Sequence, residues 1–412
     1  MVFVHEVGHL VAAKRSKVVV EEFGIGYPPR LLTLWRSEGR MVIDGQEMVI
    51  PRTLELPDEL SARSLVVYDT TTDEVDRTSL AQIRVVDTDA PDAGEARRVE
   101  LLDRGTIYSI NAVPFGGFTK MLGEEDPTFP GSLASRRKLT RIFVLVAGAG
   151  MNLLTAVAFF ALALGLGAPA IAEPENAVVT SVAPNSPAEA AGLQVGDVIV
   201  QAEDTDILTI QDLLDVTQGY LGEPVELTIV RGDAFLHITV VPRADPPPGE
   251  APIGIGLGPR TTIKRYPWYE AIWYGLREMV SLAALIVTVP VQVIRGLIPA
   301  DLARPVGPVG VGQIVGDAVQ YSIDTGWWFP VMQTMGLLSV ALAVTNLLPL
   351  PGFDGGRILF VIVEAIRGRR VDPAKEGLVH LIGMALLVAL MLIITWQDVV
   401  NPIPSVDWSS FF

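Results

Sequence analysis

The 412-residue sequence contains no cysteine and only four histidines. Without cysteine there is no disulfide framework, thiolate metal site or sulfur nucleophile, so any metal must be held by imidazoles and carboxylates. Basic residues are also scarce. Lys and Arg number 31 against 47 Asp and Glu, a net charge of −16, which removes the global positive field that nucleic-acid binding needs. Charge of either sign is thin at 19%, while half of the residues are apolar and the mean hydropathy is positive. That composition is too apolar for an ordinary soluble domain and points to a membrane protein.

Three stretches lack charge for long enough to cross about 30 Å of hydrocarbon as helices. They lie between Arg141 and Glu173, between Asp324 and Asp354, and between Glu376 and Asp398, the last interrupted only by His380. Trp327 and Trp328 suit an interfacial aromatic belt at the start of the second. Residues 1–13 are apolar but too few to cross, and they stop at Lys14, Arg15 and Lys17. They read as the C-terminal part of a first span. A secretory signal peptide would carry its positive charge before the apolar core. A fifth stretch, Met279–Ile294, has no charge but is broken by Pro290, and it reads as interfacial or re-entrant. The positive flanks, Lys14 to Lys17, Arg136 to Arg141 and Arg367 to Arg370, belong in the cytoplasm. Residues 173 to about 325 then lie outside it.

The expected organisation is a polytopic α-helical membrane protein of about four spans. Residues 1–20 form the truncated first span, 21–135 a cytoplasmic β-rich insertion with a membrane re-entrant hairpin, and 141–168 the second span. An inserted α+β domain occupies 173–245, a linker with the interfacial or re-entrant region 246–325, a third span with its following helix 326–366, and a fourth span 376–398. Within the insertion, Met41–Ile43, Glu47–Ile50, Ser64–Tyr68 and Gln82–Val86 read as short strands. Asp87–Glu95 favours a partly disordered acidic loop as the alternative. Asn111–Gly123, punctuated by Gly and Pro and too short to span, suits a hairpin dipping into the bilayer. In the α+β domain Ser186-Pro187 starts a helix and Gly192 stops it. Asp245–Pro252 reads as a stiff proline-rich linker.

The chemistry concentrates at His5-Glu6-Val7-Gly8-His9. Two imidazoles at i and i+4 share one helix face and can bind one zinc, and Glu6 beside them can take a proton from the attacking water. Ionisable groups in an apolar helix are costly without such a use. A catalytic zinc usually takes three protein ligands. His237 lies in a strand of the α+β domain and His380 stands near the start of the last span without a partner motif, so both read as structural or solvated. Asp354, after the helix-breaking Pro349 and Pro351, is the better third ligand, with a helix N-cap as its other reading.

Several segments together resemble a known family. Val182–Val200 is similar to the PDZ domains of bacterial proteases in its Ser-Pro-Ala and Ala-Gly-Leu-x-x-Gly-Asp elements. Such domains bind extended chains at a sheet edge, although a spacer that only restricts access is an open alternative. With Val4–Arg15, Glu22–Tyr27, Pro114–Glu124 and Asn346-x-x-Pro-x-x-x-x-Asp354-Gly, the chain resembles the site-2 proteases, in particular the bacterial RseP-type branch, over nearly its whole length. The departures are the short first span, the long 36–110 insertion, a single PDZ-like domain, and Phe353 where Leu is commoner.

The resemblance implies a zinc-dependent intramembrane metalloendopeptidase of the bacterial inner membrane, with its active site towards the cytoplasm and its PDZ-like domain outside. It implies zinc as cofactor, His5, His9 and Asp354 as metal ligands and Glu6 as general base. Asn346 and the re-entrant hairpin, Gly116 and Gly117 within it, would hold an unwound substrate strand. Ala147–Asn152 and Gly307–Gly310 match family signatures for packing or substrate alignment. Expected partners are single-pass transmembrane substrates such as anti-sigma factors or remnant signal peptides, the bilayer, and a peptide ligand of the PDZ-like domain. The alternative from another class is a non-catalytic membrane-anchored PDZ adaptor.

Overall fold

The computed structural model describes residues 1–73, 75–86, 96–124, 126–299 and 304–408, with the side chain of Phe115 left out. The acidic stretch 87–95 lies outside the described residues. The chain divides into two compact units, one of residues 1–161, 272–317 and 331–405 and the other of 162–271, 318–330 and 406–412.

The first unit opens with α1 (Val2–Arg15), which carries both motif histidines on its buried side. A long strand follows, β1 (Val20–Arg36). Beyond it β2 (Gly39–Ile43), β3 (Gln46–Ile50), β4 (Leu65–Thr72), β5 (Thr78–Val85) and β6 (Arg97–Asp103) close into a small barrel. The four expected strands are all present, and β6 was not foreseen because Arg97-Arg-Val-Glu-Leu-Leu-Asp breaks the apolar alternation. Met41, Ile43, Met48, Val66, Leu80 and Val99 fill the barrel interior, and burial of each is worth about 1.5–3 kcal/mol.

The expected hairpin at 111–123 is half of a larger object. β7 (Ile107–Met121) pairs with β1, and each strand bends so that Glu22–Ile25 has neighbours on both sides, Gly117–Lys120 on one and Ile107–Ile110 on the other. Leu32–Arg36 continue along the far side of Ile107–Ile110. The bends fall at Tyr27-Pro-Pro-Arg30 and at Gly116, whose φ of +75° suits glycine. Gly117–Met121 is therefore an outer row, with no described strand on its other edge.

Among the described residues, four helices are long and apolar enough to cross a membrane: α2 (Lys138–Gly167) and, further along the chain, Trp268–Ile294, Phe329–Leu347 and Pro373–Val400. At 14 residues α1 is not among them, so the four differ from the four expected stretches by one substitution. The 268–294 helix corrects the expectation of a segment broken at Pro290, which lies inside an unbroken helix. Pro290 stands one turn from the helix end, and the one bond it removes, to Ile286 O, and its ring clash there leave the turns before Ile286 intact.

The second unit is an α+β domain. Here β8 (Ala168–Ile171) precedes β9 (Ala177–Val182), and α3 (Pro187–Ala191) is capped by Ser186 Oγ and stopped by Gly192 in a left-handed conformation, as its sequence predicts. Next come β10 (Val198–Ala202), β11 (Thr205–Asp206), α4 (Ile210–Gly219), β12 (Val225–Arg231), β13 (Ala234–Val240), β14 (Ile255–Gly258) and β15 (Thr261–Lys264). The main sheet runs β13-β12-β10-β9-β14, with β11 attached to β10, while β15 pairs with β8. The domain thus extends past residue 245. The proline-rich stretch 245–252, read as a linker, is an internal loop that returns the chain to the sheet, held where Arg243 N–H donates to Pro252 O at 2.9 Å. The strand it leads to, Ile-Gly-Leu-Gly, has too little side chain to signal itself in sequence.

Back in the first unit, α5 (Trp268–Ile294) packs Met279, Leu282, Ala283 and Ile286 into a cluster with Ala156 and Phe160 of α2 and Val340 and Val344 of α7 (Phe329–Leu347). Between them in sequence, α6 (Pro308–Thr325) starts against the end of α9 (Pro373–Val400): the buried Asp398 carboxylate accepts from Gly307 N–H at 2.9 Å, Gly310 N–H at 2.8 Å and Arg304 at 2.9 Å. α8 (Asp354–Arg367) follows a six-residue break after α7, where Pro349 and Pro351 predict one.

Candidate metal centre and substrate cleft

The i, i+4 spacing on α1 brings the two imidazoles within 4.7 Å, centre to centre. Both are buried, at 6% and 5% exposure. Asp354 arrives at the first position of α8, because the 348–353 loop folds back over that helix's first turn. A Cβ on Gly355 would stand 2.1 Å from Leu348 O and one on Gly356 2.3 Å from Leu350 O, so only the Asp-Gly-Gly sequence lets the loop close. The N-cap is Phe353, without a side-chain cap, which decides against the capping role for Asp354.

His5 Nε2, His9 Nε2 and Asp354 Oδ2 form a triangle with every edge 3.1 Å. Among the described residues they are the one group of three or more such side chains able to hold a metal ion. One proton cannot serve all three edges, whereas two ligands about 2.0–2.1 Å from a tetrahedral zinc stand roughly 3.3 Å apart. Two nitrogens and one carboxylate also suit zinc better than magnesium or calcium. The donor set fits the ion.

Helix α2 supports the imidazoles from behind. Val144 O accepts from His9 Nδ1 at 2.9 Å, the Asn152 amide approaches His5 Nδ1 at 3.4 Å, and Gly148 lies directly against both rings. These residues were missed as site components. The Ala147–Asn152 signature marked the place, with Gly148 and Asn152 four residues apart in it, but not the chemistry. His380, read as structural or solvated, is structural: its Nδ1 accepts from Gly352 N–H at 3.1 Å and steadies the Asp354 loop. His237 is solvent-exposed on β13 beside Glu226.

A cavity of about 720 Å³ opens over the triangle, lined among others by Glu6, Gly117, Thr119, Asn346 and Arg357. Thr119 Oγ1 donates to Glu6 O at 3.0 Å, and a Cβ on Gly117 would stand 3.6 Å from Glu6 Cγ. The outer row of the bent sheet is thus pinned beside the motif glutamate. Asn346 faces the cleft but donates within its own helix to Leu342 O at 3.0 Å. Gly116 packs against Tyr27 and Val2. Glu124 and Arg357 pair across the cleft.

Comparison with known proteins agrees with this geometry. The sequence model of peptidase family M50 matches residues 1–43 and 98–390. The chain is 30% identical to "Zinc metalloprotease RasP" of Geobacillus kaustophilus over 97% of its own length and 95% of the relative's. It is 26% identical to "Regulator of sigma-W protease RasP" of Bacillus subtilis, covering 97% and 95%, and 26% identical to "Probable protease eep" of Enterococcus faecalis, covering 97% and 96%. A solved PDZ domain from an SdrC-like protein of Listeria monocytogenes aligns with 20% of this chain and 87% of its own, at 26% identity and a TM-score of 0.18. With a HExxH helix, a converging aspartate and a match across both segments, the chain belongs to peptidase family M50, the site-2 proteases, and is a zinc-dependent intramembrane metalloprotease.

Proposed function

We propose that His5, His9 and Asp354 hold the zinc, that Glu6 is the general base, and that Gly116, Gly117 and Asn346 receive an unwound segment of a transmembrane substrate. The observation that carries this reading is the 3.1 Å triangle of donor atoms opening onto a cleft whose wall is the strand edge Gly117–Met121, which no described strand pairs. Zinc in that triangle supplies a Lewis acid for the scissile carbonyl and lowers the pKa of water. Glu6 accepts the proton of the attacking water and returns it to the leaving amine. A substrate helix hides its carbonyls in i to i−4 bonds, so it must open before the cut. Gly117–Met121 offers main-chain groups to the released strand, as in recognition by strand addition, and the missing side chains at 116 and 117 let that strand approach Glu6. Substrates therefore carry helix-breaking residues near the scissile bond.

The topology that fits these contacts places the Lys14–Lys17 end of α1 and the start of α2 in the cytoplasm. The α+β domain, PDZ-like in its sequence elements, is outside. Gln333 of α7 donates to Glu278 of α5, and the following turns of both helices share one apolar cluster, so α5 and α7 run in the same direction. The chain must return between them, and Asp398 holds the start of α6 at the end of α9. This supports a chain that enters along α5 and returns before α7, which keeps Arg367 to Arg370 on the cytoplasmic side. The name of the Bacillus subtilis relative ties that protein to sigma-W regulation, which favours membrane-tethered anti-sigma factors as substrates here, with remnant signal peptides as the second class. The PDZ-like domain would take extended peptide or exclude intact ectodomains.

The test is cleavage of a single-pass membrane reporter with a trimmed ectodomain. Wild type cuts it, while Glu6→Gln and chelator-treated enzyme do not. Equal cutting by Glu6→Gln would remove Glu6 from its role.

A further inference from the structure

We infer that Asn152 is a positioning residue for the metal centre: its side-chain oxygen accepts from His5 Nδ1–H and so fixes the tautomer that turns the Nε2 lone pair of His5 toward the zinc. The inference rests on the metal-site reading given above.

A neutral imidazole carries one N–H, and the nitrogen that binds metal must be the other. For His9 the tautomer follows from its partner. Val144 O can only accept, so Nδ1 of His9 is the donor and Nε2 is left with its lone pair. His5 needs the same arrangement, because its Nε2 stands 3.1 Å from both His9 Nε2 and Asp354 Oδ2. Its Nδ1 must then donate, and the group in reach is the Asn152 amide, at 3.4 Å.

Asn152 is fully buried. With its nitrogen toward His5, two donors face each other and the amide oxygen is left buried without a partner, which is costly inside a protein. Turning the amide by 180° exchanges its two nearly isosteric ends. The oxygen then meets His5 Nδ1–H, so the facing donors part and the oxygen gains a partner, with the amide NH2 in the oxygen's former place. Val144 and Asn152 stand four residues to either side of Gly148, on one face of α2, so one helix fixes both tautomers and leaves a gap between them for the Nε2 edges. Partners of this kind orient metal-bound histidines and raise their basicity.

The test measures zinc affinity of the full chain in detergent by competition with a chromophoric chelator, for wild type, Asn152→Leu, Asn152→Ala and Asn152→Asp, each checked for folding by circular dichroism. Leu keeps the volume and Ala removes it, while Asp restores an acceptor at the same place. The expected result is a loss of about 10–100-fold in affinity for Leu and Ala and recovery to within a few-fold of wild type for Asp. Leu binding zinc as tightly as wild type, or Asp as weakly as Leu and Ala, would overturn the proposal. Wild type without stoichiometric zinc would instead sink the metal-site reading beneath it.

Discussion

Gly148 of α2 touches His9 of α1 so closely that a Cβ on the glycine would lie 2.5 Å from His9 Nε2, and 2.7 Å from His5 Nε2. Real carbons do not come that near, so Gly148→Ala must push the rings out of the donor triangle. It is expected to lower zinc affinity by at least the 10–100-fold typical of a disturbed ligand shell and to abolish reporter cleavage. Gly150→Ala is the control, since nothing lies within 4 Å of its added carbon; zinc content and cleavage should both stay at wild-type level. Metal analysis of the two purified variants decides it.

The strand edge and the metal should separate. A Cβ on Gly117 would meet Gly24 O at 2.9 Å, and Gly116 needs a φ of +75°, which costs an L-residue about 1–2 kcal/mol. Gly116→Ala and Gly117→Val should cut cleavage at least tenfold while zinc remains stoichiometric. Zinc lost together with activity would mean that the sheet supports the metal rather than the substrate.

Asp398 joins α9 to the start of α6 through two backbone N–H groups and Arg304. Removing the carboxylate strands all three donors, and Asp398→Ala should cost about 3 kcal/mol. Asp398→Asn, which keeps one acceptor oxygen, should cost less. Thermal unfolding in detergent, with proteolysis mapped between residues 294 and 307, measures both.

The α+β domain carries its own acid limit. Asp197 is buried, which raises its pKa, but Arg231 grips both carboxylate oxygens at 2.7 and 2.8 Å and Gln194 N–H adds a third bond at 2.8 Å; the balance lies below the usual carboxylate range. A group with a depressed folded pKa adds stability that is full above its unfolded value, about 3.9, and is lost as pH falls through the folded value. Protection factors across 177–258, taken against the intrinsic exchange rate at each pH, should fall on acidification in that window. Asp197→Asn should be less protected at neutral pH and lose most of that response.

Long uncharged helices and the HExxH pair were legible because hydrophobic length and metal-ligand spacing are local. Asp354 was legible too, since the prolines that break α7 mark an end where a ligand can face inward. β1 was not. Glu22-Phe-Gly-Ile-Gly-Tyr owes its strand state to partners some 90 residues away in β7, and pairing of that kind leaves no periodicity in either segment. β14 escaped for the opposite reason, being too poor in side chains to show a pattern. The α2 face at 144, 148 and 152 was invisible as chemistry because two of its three contributions are a carbonyl and the absence of a side chain.

The family match stops at residue 43 and resumes at 98, and the barrel shows why such a gap is tolerated. Ile43 and Val99 stand opposite each other across the β2–β6 ladder, so the two ends of the unmatched interval are already adjacent. A short turn could replace everything between them without moving β1 or β7. What remained would be a two-stranded stem whose inward residues, Met41, Ile43 and Val99, had lost their cover, and a shortened protein would have to make them polar. The barrel is therefore a detachable module plugged into a fixed socket, free to be exchanged or enlarged while the catalytic edge at Gly117–Met121 keeps its register.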